Sequence, residues 1–219
     1  DDRLMELIQR YLGNWMPVTR TENLQIQQPA LQFGQVTRKK DIEQIHFNIG
    51  FQGAILGTSE MYDLLAANNI IGGSMSSRLF QKIREDLGLV YSIYSTMYNY
   101  TQNGLFSLYC SMNPEQYIQV QHIIESELQQ LLEKGFTKEE YSKAKNQLKG
   151  NFLLGMESTS GRMAAMGKSE LLLNRIDTPE EILLRLNNLT QEQTEAVLRL
   201  YLNTENKSEV LVGPTDLLV

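Results

Sequence analysis

Alternation at period two constrains this chain more than anything else in it. Ile45, Phe47, Ile49 and Phe51 alternate with His46, Asn48 and Gly50, the pattern of a strand with one buried and one open face. Two further alternating runs, VYSIYSTMYNY and GLFSLYCSM, are separated only by TQN. So short a connection calls for an antiparallel hairpin. A last strand, SEVLVG at residues 208–213, brings the chain back to the sheet.

Between these strands the chain is helical, and its start signals are legible. Asn113-Pro114-Glu115-Gln116 sets out a cap, a proline at the first helical position and a capping-box glutamine. Thr178-Pro179-Glu180-Glu181 repeats that order, and Thr137-Lys138-Glu139-Glu140 and Thr190-Gln191-Glu192-Gln193 are further boxes. The first of these helices buries Val120, Ile123, Ile124, Leu128, Leu131 and Leu132 and stops at Gly135. An earlier helix runs from about Ser59 to Ile70, and an opening one carries Leu4, Leu7, Ile8, Tyr11 and Leu12 before Gly13. Residues 13–40, with Pro17 and Pro29, read as an extended connector ending in an edge strand. The expected fold is α+β: an antiparallel β-sheet with helices packed on one face. After that connector, residues 41–219 are expected to form a single domain.

Composition removes several function classes. With 42% hydrophobic and 21% charged residues the chain is an ordinary globular one. Its longest apolar runs fall far short of the roughly 18 residues that a membrane-spanning helix needs, so no membrane role is expected. The formal charge is −6 and the Lys and Arg residues are scattered, VTRKKD at 36–41 being the densest patch. Nucleic-acid binding needs clustered cations and is not expected. The lone Cys110 cannot form an internal disulfide and sits in LFSLYCSM as a small buried residue, which points to a reducing, cytoplasmic compartment. The opening DDRLMELIQRYLGNW has no initiator methionine, so the chain reads as a piece of something longer, with an upstream targeting signal left open.

The segment IIGGSMSSRLFQKIREDLGLVYS at residues 70–92 is the densest in chemistry. Paired glycines ahead of a helix could cradle an anion, but no lysine follows Gly73 until Lys82, and neither P-loop nor dinucleotide spacing is present. The simpler reading is that the glycines let the backbone turn and that Ser74 or Ser76 caps the helix. Leu79, Ile83 and Leu87 form its buried stripe with Phe80 beside them, which puts Arg84 at the margin of the apolar face. Gly88 ends the helix, and Tyr91 follows a few residues later. On spacing alone, Arg84 reads as an arginine that complements the helix dipole.

Other chemistries find little support. The histidines, His46 and His122, are far apart, and neither stands in H-E-x-x-H or H-x-x-E-H. They read as surface or packing residues, and no metal site is expected. No G-x-S-x-G accompanies the serines. Met156, Met163 and Met166, interleaved with Gly161, Ala164, Ala165 and Gly167, read as a tightly packed core helix, the rival being an adaptable wall beside a peptide-binding chamber.

GGSMSSRLFQKIREDLGLVYS resembles the C-terminal-domain signature of the insulinase/pitrilysin family of zinc metallopeptidases, which includes the mitochondrial processing peptidase. DIEQIHFNIGFQG, NGLFSLYCSM and KAKNQLKGNFLLGMEST resemble the family's first strand of that domain, its hairpin partner and its helix pair, so the likeness covers nearly the whole chain. The resemblance implies a half that has lost the zinc motif and closes over an unstructured peptide against a zinc-bearing N-terminal domain or subunit. It implies that residues 1–40 are the end of an inter-domain linker, a helix plus an extended connector, and that Arg84 and Tyr91 reach the substrate from this half. It places zinc in the partner half, with no cofactor in this chain, which alone is expected to be catalytically silent. The alternatives are a non-catalytic structural or assembly domain of the same fold and, more weakly, an anion- or nucleotide-binding module.

Overall fold

A computed structural model of the chain describes residues 1–15 and 32–214; Pro17 and Pro29 of the expected connector lie outside the described residues. The elements in chain order are α1 (Asp2–Leu12), β1 (Gly34–Lys39), β2 (Ile45–Gln52), α2 (Ser59–Ile71), a π-helix (Phe80–Asp86), β3 (Ser92–Asn99) and β4 (Gly104–Met112). A 3-10 turn (Pro114–Gln116) then leads into α3 (Tyr117–Lys134), α4 (Lys138–Glu157), α5 (Thr159–Leu173), α6 (Pro179–Asn188), α7 (Gln191–Tyr201) and β5 (Ser208–Gly213). The α+β class expected from the sequence holds.

The strands form one sheet in the order β1-β5-β2-β4-β3. β3 and β4 are the hairpin read from the sequence, in register from Ser92 opposite Ser111 to Asn99 opposite Gly104. β2 runs antiparallel to both β4 and β5. β1 lies at the edge and pairs with β5 in parallel, which departs from a purely antiparallel sheet. The preceding connector thus ends in an edge strand, as its position in the sequence suggested.

Alternation decides which face is buried. Ile45, Phe47, Ile49 and Phe51 stand opposite Met112, Cys110, Leu108 and Phe106, and all eight side chains are buried beneath the helices. The Phe51 and Phe106 rings lie 6.3 Å apart, and Phe47 meets Tyr117 of α3 edge-on at 5.3 Å, a favoured aromatic geometry. Val120, Ile124, Leu128 and Leu131 supply the α3 side of this core, while Ile123 and Leu132 pack partly buried at its margin. Burial pushes the Cys110 thiol up to about 12, so it stays a protonated, inert core residue. A second, smaller cluster joins Ala66 of α2, Leu148 of α4 and Leu186 and Leu189 around α6. The opposite face of the sheet carries Tyr94, Tyr98 and Leu105, all exposed.

The helix starts follow the sequence closely. Thr137–Glu140 and Thr178–Glu181 both close full capping boxes, satisfying N–H groups that have no partner within the helix. Thr190 caps α7 through the Gln193 N–H at 3.3 Å. α3 ends at Gly135, whose φ of +74° is easy only for glycine. Asn113 is the exception, because its side chain makes no cap bond.

One expectation fails outright. α5, with Met163 and Met166, is not a core helix: none of its residues is buried, and Met163 is 69% exposed. Ala165 and Met166 line an open cavity together with residues of α2 and the start of α6, so they wall a space rather than fill a core.

Candidate functional site

The segment at residues 70–92 folds as a mount between α2 and β3. Gly72 and Gly73 both have φ outside the left-handed region, so they are not needed for an unusual turn. They are needed for close approach: a Cβ on Gly72 would lie 2.7 Å from the Ser95 N, and one on Gly73 2.5 Å from Asn68 Nδ2. That closeness lets the Ser95 N–H donate to the Gly72 carbonyl at 3.0 Å, which ties the loop to the outer edge of β3. The serine-cap expectation is corrected. Ser74 and Ser76 bond each other at 3.2 Å, and Ser74 also bonds the Asn69 carbonyl, so neither caps the helix that follows.

That helix is a π-helix rather than an α-helix, with the Leu87 N–H reaching back to Lys82 O at 3.2 Å. A five-residue repeat widens each turn, and such stretches often sit at functional positions. The widening rotates side chains away from their α-helical places. Leu79 and Ile83 are fully buried as expected, but Leu87 is turned out and is 46% exposed, so the stripe Leu79–Ile83–Leu87 is broken. Arg84, expected at the margin of the apolar face, is exposed, with its guanidinium 4.9 Å from the Phe80 ring centroid. Stacking of this kind holds the plane through its face and leaves the N–H donors unused.

Two ion pairs clamp the mount. Lys82 pairs with the buried Glu127 of α3. Arg78 holds Glu140 through two nitrogens and also donates to the Gly135 carbonyl at 3.2 Å, joining the base of the π-helix to the start of α4. Burial pushes the Glu140 carboxyl up, but the bonds from Arg78 and Thr137 outweigh it and bring the group down to about 2.

Gly88, at φ +62°, reverses the backbone after the π-helix, and the Leu89 N–H then bonds Ile83 O at 3.0 Å. Tyr91 sits three residues beyond that glycine, its N–H on Ser111 O at 2.8 Å. Its ring is 53% exposed, and its hydroxyl donates to Asn113 Oδ1 at 3.0 Å. Asn113 therefore spends its side chain on Tyr91 instead of on capping, a role its place in the N-P-E-Q signature concealed. Arg84 and Tyr91 flank one tight turn and both face solvent; among the described residues no hydrogen bond or ring contact links them. The arrangement offers a guanidinium and a phenol to something outside the domain.

Residues 1–148 match the family description "peptidase M16 inactive domain". The chain belongs to that family. It is similar to an uncharacterized zinc protease, YmxG, of Bacillus subtilis, with 36% identity over 98% of this chain and 52% of that protein. It also matches the uncharacterized zinc protease Mb2805c of Mycobacterium bovis, with 34% identity over 80% of this chain and 40% of the relative. Among solved structures, an M16 inactive domain from Pseudomonas fluorescens superposes with a TM-score of 0.78 at 22% identity, over 86% of this chain and 45% of that one. A protease from Helicobacter pylori gives 0.86 at 18%, over 97% and 52%. At those identities the structural likeness establishes the fold. The M16 inactive domain spans about half, or less, of the curated relatives it matches.

The relatives are named for zinc, but the described residues of this inactive domain do not fit a zinc site. Among them no group of three or more His, Cys, Asp or Glu side chains could hold a metal ion. His46 lies on the open sheet face with Nδ1 2.6 Å from the Tyr109 hydroxyl, and His122 is exposed on α3. The histidines are thus occupied or isolated, as packing and surface residues.

Proposed function

We propose that this chain is the non-zinc half of a zinc metalloendopeptidase, which closes over an unstructured peptide and presents Arg84 and Tyr91 to a reaction centre held by a zinc-bearing N-terminal domain or subunit. One observation carries the reading: in a domain of the M16 inactive family, Arg84 and Tyr91 stand exposed on either side of Gly88 with a guanidinium that has no ion-pair partner among the described residues.

The residue types suit that task. An attacked peptide carbonyl becomes an oxyanion, and donors fixed in advance near it are worth several kcal/mol in a dry cleft. A tyrosine hydroxyl is a short neutral donor, and an arginine can hold a carbonyl or carboxylate with two bonds. Phe80 orients the guanidinium without consuming its donors, and Asn113 keeps the phenol proton directed until substrate replaces it. Neither residue generates a nucleophile, so the chain alone is silent, and zinc belongs to the partner half.

The test is peptide cleavage by the full protease, or by this chain mixed with its zinc-bearing half. Arg84→Ala and Tyr91→Phe each lower kcat/KM by tenfold or more, a loss of about 1.4 kcal/mol or above in transition-state stabilisation. Unchanged turnover in both variants sinks the roles assigned to them. The assembly-domain alternative predicts that outcome together with retained binding of the other half.

A further inference from the structure

We infer that the cavity between the start of α2, the inner side of α5 and the α5–α6 loop is a binding site for an apolar carboxylate. The cavity has a volume of about 410 Å³, within the range of sites that hold small organic ligands. Its walls are apolar: Leu56 and Met61 from the α2 side, Met156 and Met166 from α4 and α5, and Leu173 and Ile182 across the loop. Three of those are thioethers, which adapt to ligands of different shape. α5 explains why the space is open. The helix carries an apolar composition but buries none of its residues, so its inward side lines the cavity instead of filling it.

The cations outnumber the acids at the cavity. Arg162 and Lys168 both line it. Arg162 donates through Nε to the Met156 carbonyl, and neither residue has a carboxylate partner among the described residues. The acid that also lines the cavity, Asp177, is already held by Arg185 at 2.8 Å and by Arg175 at 3.4 Å. Two cations with no carboxylate partner among the described residues, beside an apolar chamber, match a ligand with an apolar body and an anionic end. A peptide ending in a large apolar residue and a medium-chain acyl carboxylate present that same chemistry. The site is separate from Arg84 and Tyr91 and does not rest on the roles proposed for them.

The experiment uses the intact chain labelled with ¹³C-methyl methionine. Dodecanoate, dodecanol, and a short peptide ending in Phe with a free or an amidated C-terminus are titrated in turn. The expected result is saturable shifts of the Met61, Met156 and Met166 methyl signals with at least one of the two carboxylates, and binding at least tenfold weaker for its uncharged counterpart. Saturation by the free-acid peptide alone identifies a chain terminus as the ligand source, and saturation by dodecanoate alone identifies an acyl acid. Arg162 and Lys168 are exposed, so Arg162→Ala with Lys168→Ala keeps the fold. That variant, with the Met112 methyl signal unmoved as a check on the core, should abolish the preference for the charged ligand. No saturable shift with either acid, equal binding of acid and uncharged analogue, or an unchanged preference in the double variant overturns the site.

Discussion

The β2–β4 strand pair and helix α5 are both rich in apolar residues, yet only the strand pair is buried. In the strands every second side chain faces the same layer of helices, so Phe47, Ile49 and Phe51 disappear completely from solvent. In α5, Met163, Met166 and Leu171 stay largely exposed. Period-two alternation in a sheet commits a whole face at once, and that face must be covered. Methionines among small residues on a helix commit to no such face, and they serve equally well in a core or as a pliable outer wall.

Truncations should expose that difference. Phe47→Ala empties the centre of the core and should cost about 3–5 kcal/mol in urea unfolding, whereas Met163→Ala should stay within about 0.5 kcal/mol. Comparable losses at the two positions would erase the contrast. A finer cut lies within the site's own helix. Ile83→Ala should cost about 2–5 kcal/mol while Leu87→Ala costs well under 1 kcal/mol; equal losses would restore the α-helical stripe in place of the π-helix. The smallest effect belongs to the clamp. The Glu140 carboxyl sits at about 2 when folded against an ordinary 4.5, so its contribution is complete above the ordinary value and disappears as pH falls through the folded one. Glu140→Gln should therefore destabilise by on the order of 1 kcal/mol at neutral pH, the pair being partly exposed. The gap from the natural chain should close towards about pH 2, a convergence that denaturant melts at several pH values would read. A gap that persists at acid pH would assign the loss to packing rather than to the carboxylate's charge.

Where the sequence carried strict geometric rules, it was legible. The hairpin around TQN, the two full capping boxes and the last strand at Ser208–Gly213 all stand where alternation and cap spacing put them. What escaped reading was set by contacts distant in sequence. The π-form of Phe80–Asp86 changes the phase of a helix without any residue type that marks it, so Leu87 and Arg84 were placed by an α-helical wheel that does not apply. Asn113 was read as a cap because its neighbours fit that signature, while Tyr91, brought alongside by strand pairing, claims its oxygen first. Gly72 serves a strand that follows it by more than twenty residues, a purpose no local window reveals. Arg84 and Tyr91, proposed for the site, stand out through their spacing in a family signature, whereas their surroundings, Phe80, Lys82–Glu127 and Asn113, come together only in the fold.

β5 lies between β1 and β2 in the sheet, and this fixes an order of events during synthesis. Among the described strands, β1 and β2 share no hydrogen bonds with each other; both wait for Ser208–Gly213, about 160 or more residues further along the chain. A nascent chain can assemble β2, β3 and β4 with the helices that cover them, but it keeps two strand edges open until the ribosome has delivered β5. Closing contacts over so long a stretch is entropically slow, and those open edges are templates for pairing with a neighbouring chain. The vulnerable interval for this sheet is thus the one before Ser208–Gly213 emerges, because that six-residue strand is what joins β1 to β2.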